Sequence, residues 1–256
     1  MDAEIKKTVR AGNSSAVILP RAWLDQEGRV ELVKKTPEKI LYETLSIASK
    51  HVALEEIIGI YLAGSYARGE EDRKSDIDIL IITSDVDKEM IHEGIYNVLI
   101  VSDSLLKWKL ENDILPIGPM LKEAVALLNS SYLDSIKIKV TKKNVKWYIE
   151  TTRDKLEIIK KAMGKMNGNI DNRVAYSLVL RIRTLHLIQK LIREKKYSKK
   201  EFMKLIDKIS GSSKAYLAYL AVKNNMEEKA MTSKEEARKL CVYLENQLDE
   251  ARKLIK

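Results

Sequence analysis

Two aspartates, Asp76 and Asp78, interrupt the apolar run that ends Ile77-Asp78-Ile79-Leu80-Ile81. No other feature constrains the fold as strongly. In an extended strand, residues i and i+2 leave the same face, so both carboxylates project together while Ile77, Ile79 and Ile81 point into a core. Two like charges on one face of a hydrophobic strand repel and are costly to desolvate. They make sense if divalent cations sit between them, and all-oxygen ligation selects Mg2+ or Mn2+.

Upstream, Gly64-Ser65 follows directly on a second apolar run, Ile57 to Leu62, and is expected to open a helix or tight turn. Glycine lets backbone amides approach a ligand closely, and amides at such a turn, with the Ser65 hydroxyl, suit a polyphosphate. Arg68 lies one helical turn further on, and Ser75 stands beside the aspartate pair. Phosphate grips and metal ligands on adjacent strands are what metal-assisted phosphoryl or nucleotidyl transfer requires.

The full pattern, Gly64-Ser65-Tyr66-Ala67-Arg68-Gly69, then the remainder of a ten-residue spacer (66–75), then Asp76-Ile77-Asp78-Ile79, resembles the DNA polymerase β-like nucleotidyltransferase superfamily. The wording is closest to the minimal nucleotidyltransferases of toxin-antitoxin systems and to the aminoglycoside nucleotidyltransferases. The resemblance implies a nucleoside triphosphate with its phosphates on Gly64 and Ser65, flanked by Arg68 and Ser75. It also implies two metal ions on Asp76 and Asp78, in-line attack on the α-phosphorus, and pyrophosphate leaving. Such families add a third carboxylate on the next strand. Here that strand, Gly94 to Val101, contains no acid. Asn97 lies nearest the expected place, and an amide ligates a metal weakly but cannot accept a proton at neutral pH. Glu93 and Asp103 flank the strand as the nearby stand-ins, and Asp78 itself or solvent are the other candidates for base.

Composition narrows the class further. The 256 residues include 46 Lys or Arg, 37 Asp or Glu, three His and one Cys. A single Cys241 excludes an intramolecular disulfide framework, and so few His leave little for zinc, so any metal must sit on carboxylates. The longest apolar runs fall far short of the roughly 20 residues a bilayer needs, and the N-terminus lacks a secretion-signal layout. These features point to a cytoplasmic protein with no membrane association.

The net charge of +9 is uneven: residues 1–36 carry +2, residues 37–136 carry −9 and residues 137–256 carry +16. The chain is expected to divide at those limits into a β-hairpin domain (1–36), an α/β nucleotidyltransferase domain on a small mixed sheet (37–136) and a helical bundle (137–256). The class is α+β. Strands are expected at Ile57–Leu62, Asp76–Thr83 and Tyr96–Val101, after a helix from Pro37 to about Ala53. From Thr141 onward the pattern is helical, about five helices, with Ser198–Glu201 and Ser233–Glu236 as capping boxes.

Residues 1–36 are too few to close a core alone. Val9-Arg10-Ala11-Gly12-Asn13-Ser14-Ser15-Ala16-Val17-Ile18-Leu19-Pro20-Arg21, with a further strand Arg29–Val33, resembles the AbrB/MazE swapped-hairpin family. That resemblance implies a homodimer that binds DNA through Lys6, Lys7, Arg10 and Arg21. The plainer reading is a hairpin that caps the next domain.

In the basic half, lysines cluster at 137–146, 155–165 and 193–204. A solvated helix face accounts for them, and so does attraction of an anionic acceptor. Arg181 and His186 have the Arg-x4-His spacing that resembles HEPN ribonucleases, although they stand among core-like leucines. The sequence thus points first to a Mg2+-dependent nucleotidyltransferase acting on an NTP and an RNA, protein or small-molecule hydroxyl. Its alternative is a dimeric DNA-binding regulator or antitoxin whose nucleotidyltransferase domain is catalytically degenerate.

Overall fold

The computed structural model describes residues 6, 8–30, 35–72, 75–164, 168–226 and 232–255. The chain divides into two compact units, Met1–Ile40 and Leu41–Lys256. In the first, β1 (Thr8–Ala11) and β2 (Ser14–Val17) form an antiparallel hairpin, with Thr8 opposite Val17 and Ala11 opposite Ser14. Gly12 turns it at φ +62°, a conformation that favours glycine. Every residue of the two strands is exposed except the half-buried Val17. Arg29 and Val30, expected to open another strand, lie in none, and Glu31, Leu32 and Val33 fall outside the described residues, as does Lys7. Helix α1 (Pro37–Ala48) begins after Thr36, whose hydroxyl accepts from the Lys39 N–H at 3.3 Å, and ends at Ala48 rather than near Ala53.

The second unit is built on a five-stranded sheet of order β5-β6-β4-β3-β7. These strands are β3 (Ile57–Ala63), β4 (Ile77–Thr83), β5 (Lys88–Glu93), β6 (Tyr96–Ser102) and β7 (Val125–Leu128). β4 runs parallel to β6 and every other neighbouring pair is antiparallel, giving a mixed sheet. β4 is central because both of its faces are apolar beyond Asp78. Ile77, Ile79 and Ile81 are fully buried, as are Leu80 and Ile82 on the opposite face. Burying each such side chain stabilises by about 1.5–3 kcal/mol, which favours the middle of the sheet for this strand. The face carrying Leu80 and Ile82 packs with Leu106 of α3 (Asp103–Asn112) and with Ile117 and Leu121 beside and within α4 (Gly118–Glu123). That is also the face from which Asp78 projects. β5 and β7 have no counterpart in the sequence reading: Lys-Glu-Met-Ile-His-Glu lacks alternation, and its strand is specified by pairing with β6 alone. α5 (Ser130–Ser135) follows β7.

Five helices complete the same unit: α6 (Lys142–Gly164), α7 (Asn172–Ile192), α8 (Lys199–Ser210), α9 (Lys214–Lys223) and α10 (Lys234–Leu254). Leu156 and Ile159 of α6, Leu178, Ile182 and Leu185 of α7, and Leu240 and Leu244 of α10 lie in one buried cluster at helical spacing. Ser233 and Glu236 make both bonds of a capping box. Ser198 caps α8 but Glu201 does not reciprocate, because its carboxylate pairs with Lys190 at 2.6 Å. No helix among the described residues is long and apolar enough to cross a membrane.

Sheet and bundle meet at two points that matter for the site. Asn144 Nδ2 donates to the Leu110 carbonyl at 2.7 Å, tying α6 to α3. Glu70, just after the short helix α2 (Gly64–Arg68), accepts from the Ser198 hydroxyl at 2.6 Å and from the Lys199 N–H at 3.1 Å.

Candidate active site

β3 ends at Ala63 and the chain turns at once into α2. Gly64 makes that turn at φ +67°, and a Cβ there would lie 2.0 Å from Asp78 Oδ2. Only glycine lets the backbone pass so close to the carboxylate. Gly69 closes α2 in the left-handed conformation at φ +64°. Asp78 is half-buried, and Asp76 is exposed at the mouth of β4. The structure therefore brings Gly64, Ser65, Asp76 and Asp78 to one end of the sheet. Among the described residues the Ser65 hydroxyl has no hydrogen-bond partner, so it is free to meet a ligand.

Arg68 and Ser75 are engaged otherwise than expected. The Arg68 guanidinium pairs with Glu123 Oε2 at 2.6 Å and with Glu70 Oε2 at 3.0 Å. Two carboxylates leave it little charge for a phosphate. The Ser75 hydroxyl donates to Asp72 Oδ1 at 3.2 Å and accepts from the Asp72 N–H at 2.8 Å, closing the loop before β4. Even the Gly64 N–H is spoken for: it donates to Glu123 Oε1 at 2.9 Å.

Glu123 is the residue that sequence reasoning missed. It is buried at the end of α4, and burial pushes its carboxyl above the ordinary value, with a smaller contribution from Asp78; Arg68 and the Gly64 N–H act against that. A lone acid within the mostly apolar stretch 114–128 is the signal that was available, but no spacing rule links it to Gly64.

Asn97 stands directly opposite Asp78 in the parallel β4–β6 register. Its Nδ2 donates to Asp78 Oδ1 at 3.1 Å and its Oδ1 lies 2.7 Å from His92 Nδ1 on β5. Both ends of the amide are thereby used, and it links the three strands. The stand-ins are elsewhere. Glu93 pairs with Lys50 at 2.6 Å, and Asp103 pairs with Lys107 at 2.7 Å and accepts from the Tyr132 hydroxyl. Lys107 and then Tyr132 hold the Asp103 carboxyl below its usual range. Among the described residues no three His, Cys, Asp or Glu cluster as a metal site. Two carboxylates nevertheless fit Mg2+, which is commonly held by one or two carboxylates plus substrate phosphates.

The bundle supplies cations. Partial desolvation first, then the charges of Arg183 and Lys199, hold the Lys223 ammonium below its usual value, while Asp78 and Asp76 pull the other way. Arg183 lies 5.3 Å and Arg68 5.5 Å from the centre of the Tyr197 ring, so one aromatic side chain stands between a bundle arginine and a sheet-side one. Of these, Lys199 belongs to an expected lysine cluster, whereas Arg183 and Lys223 were not singled out. Lys160, from another cluster, pairs with Glu245 and Glu157 instead.

Arg181 and His186 do not form a site. Arg181 Nη1 donates to Thr151 on α6 at 3.3 Å, whereas His186 packs against the Phe202 and Tyr197 rings at 5.5 and 6.1 Å. Five residues of helix set them about 140° apart around α7. Burial lowers the His186 imidazole to about 4.

Residues 41–163 match the family model described as "Nucleotidyltransferase domain". The match spans just under half of the chain and takes in the turn at Gly64 and both aspartates. Among solved structures, a spectinomycin adenyltransferase from Enterococcus faecialis, with ATP and spectinomycin, is 14% identical, with 81% of this chain and 99% of that one covered and a TM-score of 0.44. A nucleotidyltransferase-like protein from Exiguobacterium sibiricum is 15% identical, with 82% and 75% covered and a TM-score of 0.36. No match was found among curated proteins.

Proposed function

We propose that this protein, whose residues 41–163 match a nucleotidyltransferase family model, moves a nucleoside monophosphate from an NTP to an acceptor hydroxyl with Mg2+ or Mn2+. The observation that carries this reading is the contact between Gly64 and Asp78. A turn that suits phosphates and a carboxylate that suits a metal meet within one van der Waals distance. Asp76 and Asp78 would hold the metal, which when bound neutralises charge on the α-phosphate and pyrophosphate. Ser65 offers its hydroxyl to the phosphates. Glu123 and Arg68 fix the turn rather than touch the nucleotide.

Lys223, within electrostatic reach of Arg183, Lys199 and both aspartates, favours an anionic group nearby: the triphosphate tail, or an acceptor that is itself anionic, such as RNA. The test is incubation with ATP, GTP, CTP or UTP labelled at the α-phosphate, Mg2+, and RNA, protein or small hydroxyl compounds. Label transfer that disappears in Asp76→Ala with Asp78→Ala supports the reading. Absence of transfer, or transfer undiminished by those changes, overturns it.

A second reading rests on the exposed hairpin. Two strands with almost no buried residue are not independently stable in water, which favours pairing with the hairpin of a second copy and DNA contact through Lys6, Lys7, Arg10 and Arg21. In this structure Arg10 Nε donates to the Gly12 carbonyl at 3.2 Å. A salt-dependent DNA shift that survives deletion of residues 1–36 would overturn it.

A further inference from the structure

The superfamily reading leaves one chemical role without a carboxylate: removal of the proton from the attacking hydroxyl. The sheet itself offers a replacement. His92, Asn97 and Asp78 occupy facing positions on the adjacent strands β5, β6 and β4. Their side chains form one continuous row: Asp78 Oδ1 to Asn97 Nδ2 at 3.1 Å, and Asn97 Oδ1 to His92 Nδ1 at 2.7 Å.

The protons in this row are fixed by elimination. An ionised carboxylate only accepts, so the Asn97 end that meets Asp78 must be its NH2 group. The amide oxygen is then the end that meets His92, and it too only accepts. Nδ1 of His92 must therefore carry the hydrogen, and in the neutral ring Nε2 is left with a free lone pair. Asp78 thus sets the histidine tautomer from two strands away, through an amide that cannot itself take a proton. His92 is exposed, on the sheet's edge strand, so its Nε2 is open to a substrate arriving from solvent.

We propose that His92 is the general base of the transfer, presenting Nε2 to the acceptor hydroxyl, with Asn97 as the positioning residue that holds its tautomer. This rests on the nucleotidyl-transfer reading above. In the step, the hydroxyl oxygen bonds the α-phosphorus and the bond to pyrophosphate breaks with its electron pair. The hydroxyl proton passes to Nε2 and from there to solvent. Glu93 and Asp103 are not needed, being held by Lys50 and by Lys107 with Tyr132.

The test uses the full chain with Mg2+ and ATP, with water as the probe acceptor and AMP release as the readout. His92→Ala should lower turnover at saturating ATP by about 10²-fold, the usual worth of a positioned base, while KM for ATP stays within about threefold. Added imidazole should restore turnover to His92→Ala but not to His92→Phe, where the ring fills the space. Independently of activity, nitrogen NMR of the metal-free protein should show the Nδ1–H tautomer at His92, lost in Asn97→Leu. Turnover of His92→Ala within about twofold of the parent, failure of imidazole to rescue, or an Nε2–H tautomer overturns the proposal while leaving nucleotidyl transfer standing. A parent protein that binds Mg-ATP but labels none of the RNA, protein or small hydroxyl acceptors and releases no AMP overturns both.

Discussion

The Glu123 carboxylate spans the turn after β3: one oxygen accepts from the Gly64 N–H at 2.9 Å and the other from Arg68 Nη1 at 2.6 Å. A buried acid that satisfies a backbone amide and a half-buried guanidinium together cannot be removed without leaving the Gly64 N–H unpaired and Arg68 with Glu70 alone. Glu123→Ala is expected to cost about 1–3 kcal/mol of stability, the range for leaving a buried donor unsatisfied. Glu123→Gln keeps an acceptor for Gly64 and should cost less. Urea unfolding of the three proteins, with equal m-values, checks the order.

Gly64→Ala carries two penalties at once. The residue sits at φ +67°, and its new Cβ would overlap Asp78 Oδ2. Left-handed backbone costs an ordinary residue about 1–2 kcal/mol, and relief of the overlap must push Asp78 from its place. Transfer should fall by far more than stability does, and comparing kcat with the melting temperature separates the two.

Asp76→Asn and Asp78→Asn are each expected to lower kcat by about 10³-fold or more, corresponding to several kcal/mol of lost transition-state stabilisation. Chelation with EDTA should abolish transfer in the parent, and Mg2+ or Mn2+ should restore it. Activity that persists in EDTA would remove the metal from the account.

His186 makes stability depend on pH. Its imidazole titrates near 6.5 when free but near 4 in the fold, because burial disfavours the charged ring. Between those values the unfolded chain holds more protons, so stability is full above about pH 6.5 and is lost as pH falls towards 4. The loss attributable to this group is on the order of 3 kcal/mol. His186→Leu should unfold with a shallower dependence on pH across that window, measured by denaturant midpoints at several pH values.

Much of this was legible in the chain. Asp76 and Asp78 declared a strand, because carboxylates two apart in an apolar run have one reasonable geometry. Ser233 and Glu236 gave the start of α10 for a similarly local reason. What stayed hidden depends on pairing across distance. Nothing near Lys88–Glu93 announces a strand, so the place of His92 two strands from Asp78 could not be counted out. Arg68 looked available for phosphate because its partner Glu123 lies 55 residues away. The Ser198 motif misled in the same way: Glu201 had a stronger partner in Lys190 than the cap it was expected to close.

Glu70 holds Arg68 with the same carboxylate group that receives Ser198 and Lys199. The helical half is therefore not an interchangeable attachment. Any other bundle grafted onto this sheet would need to bring a hydroxyl and a free amide to the same spot, or the arginine beside the Gly64 turn would lose part of its cage. The first residues of α8 are thus tied to a carboxylate more than a hundred positions earlier in the chain.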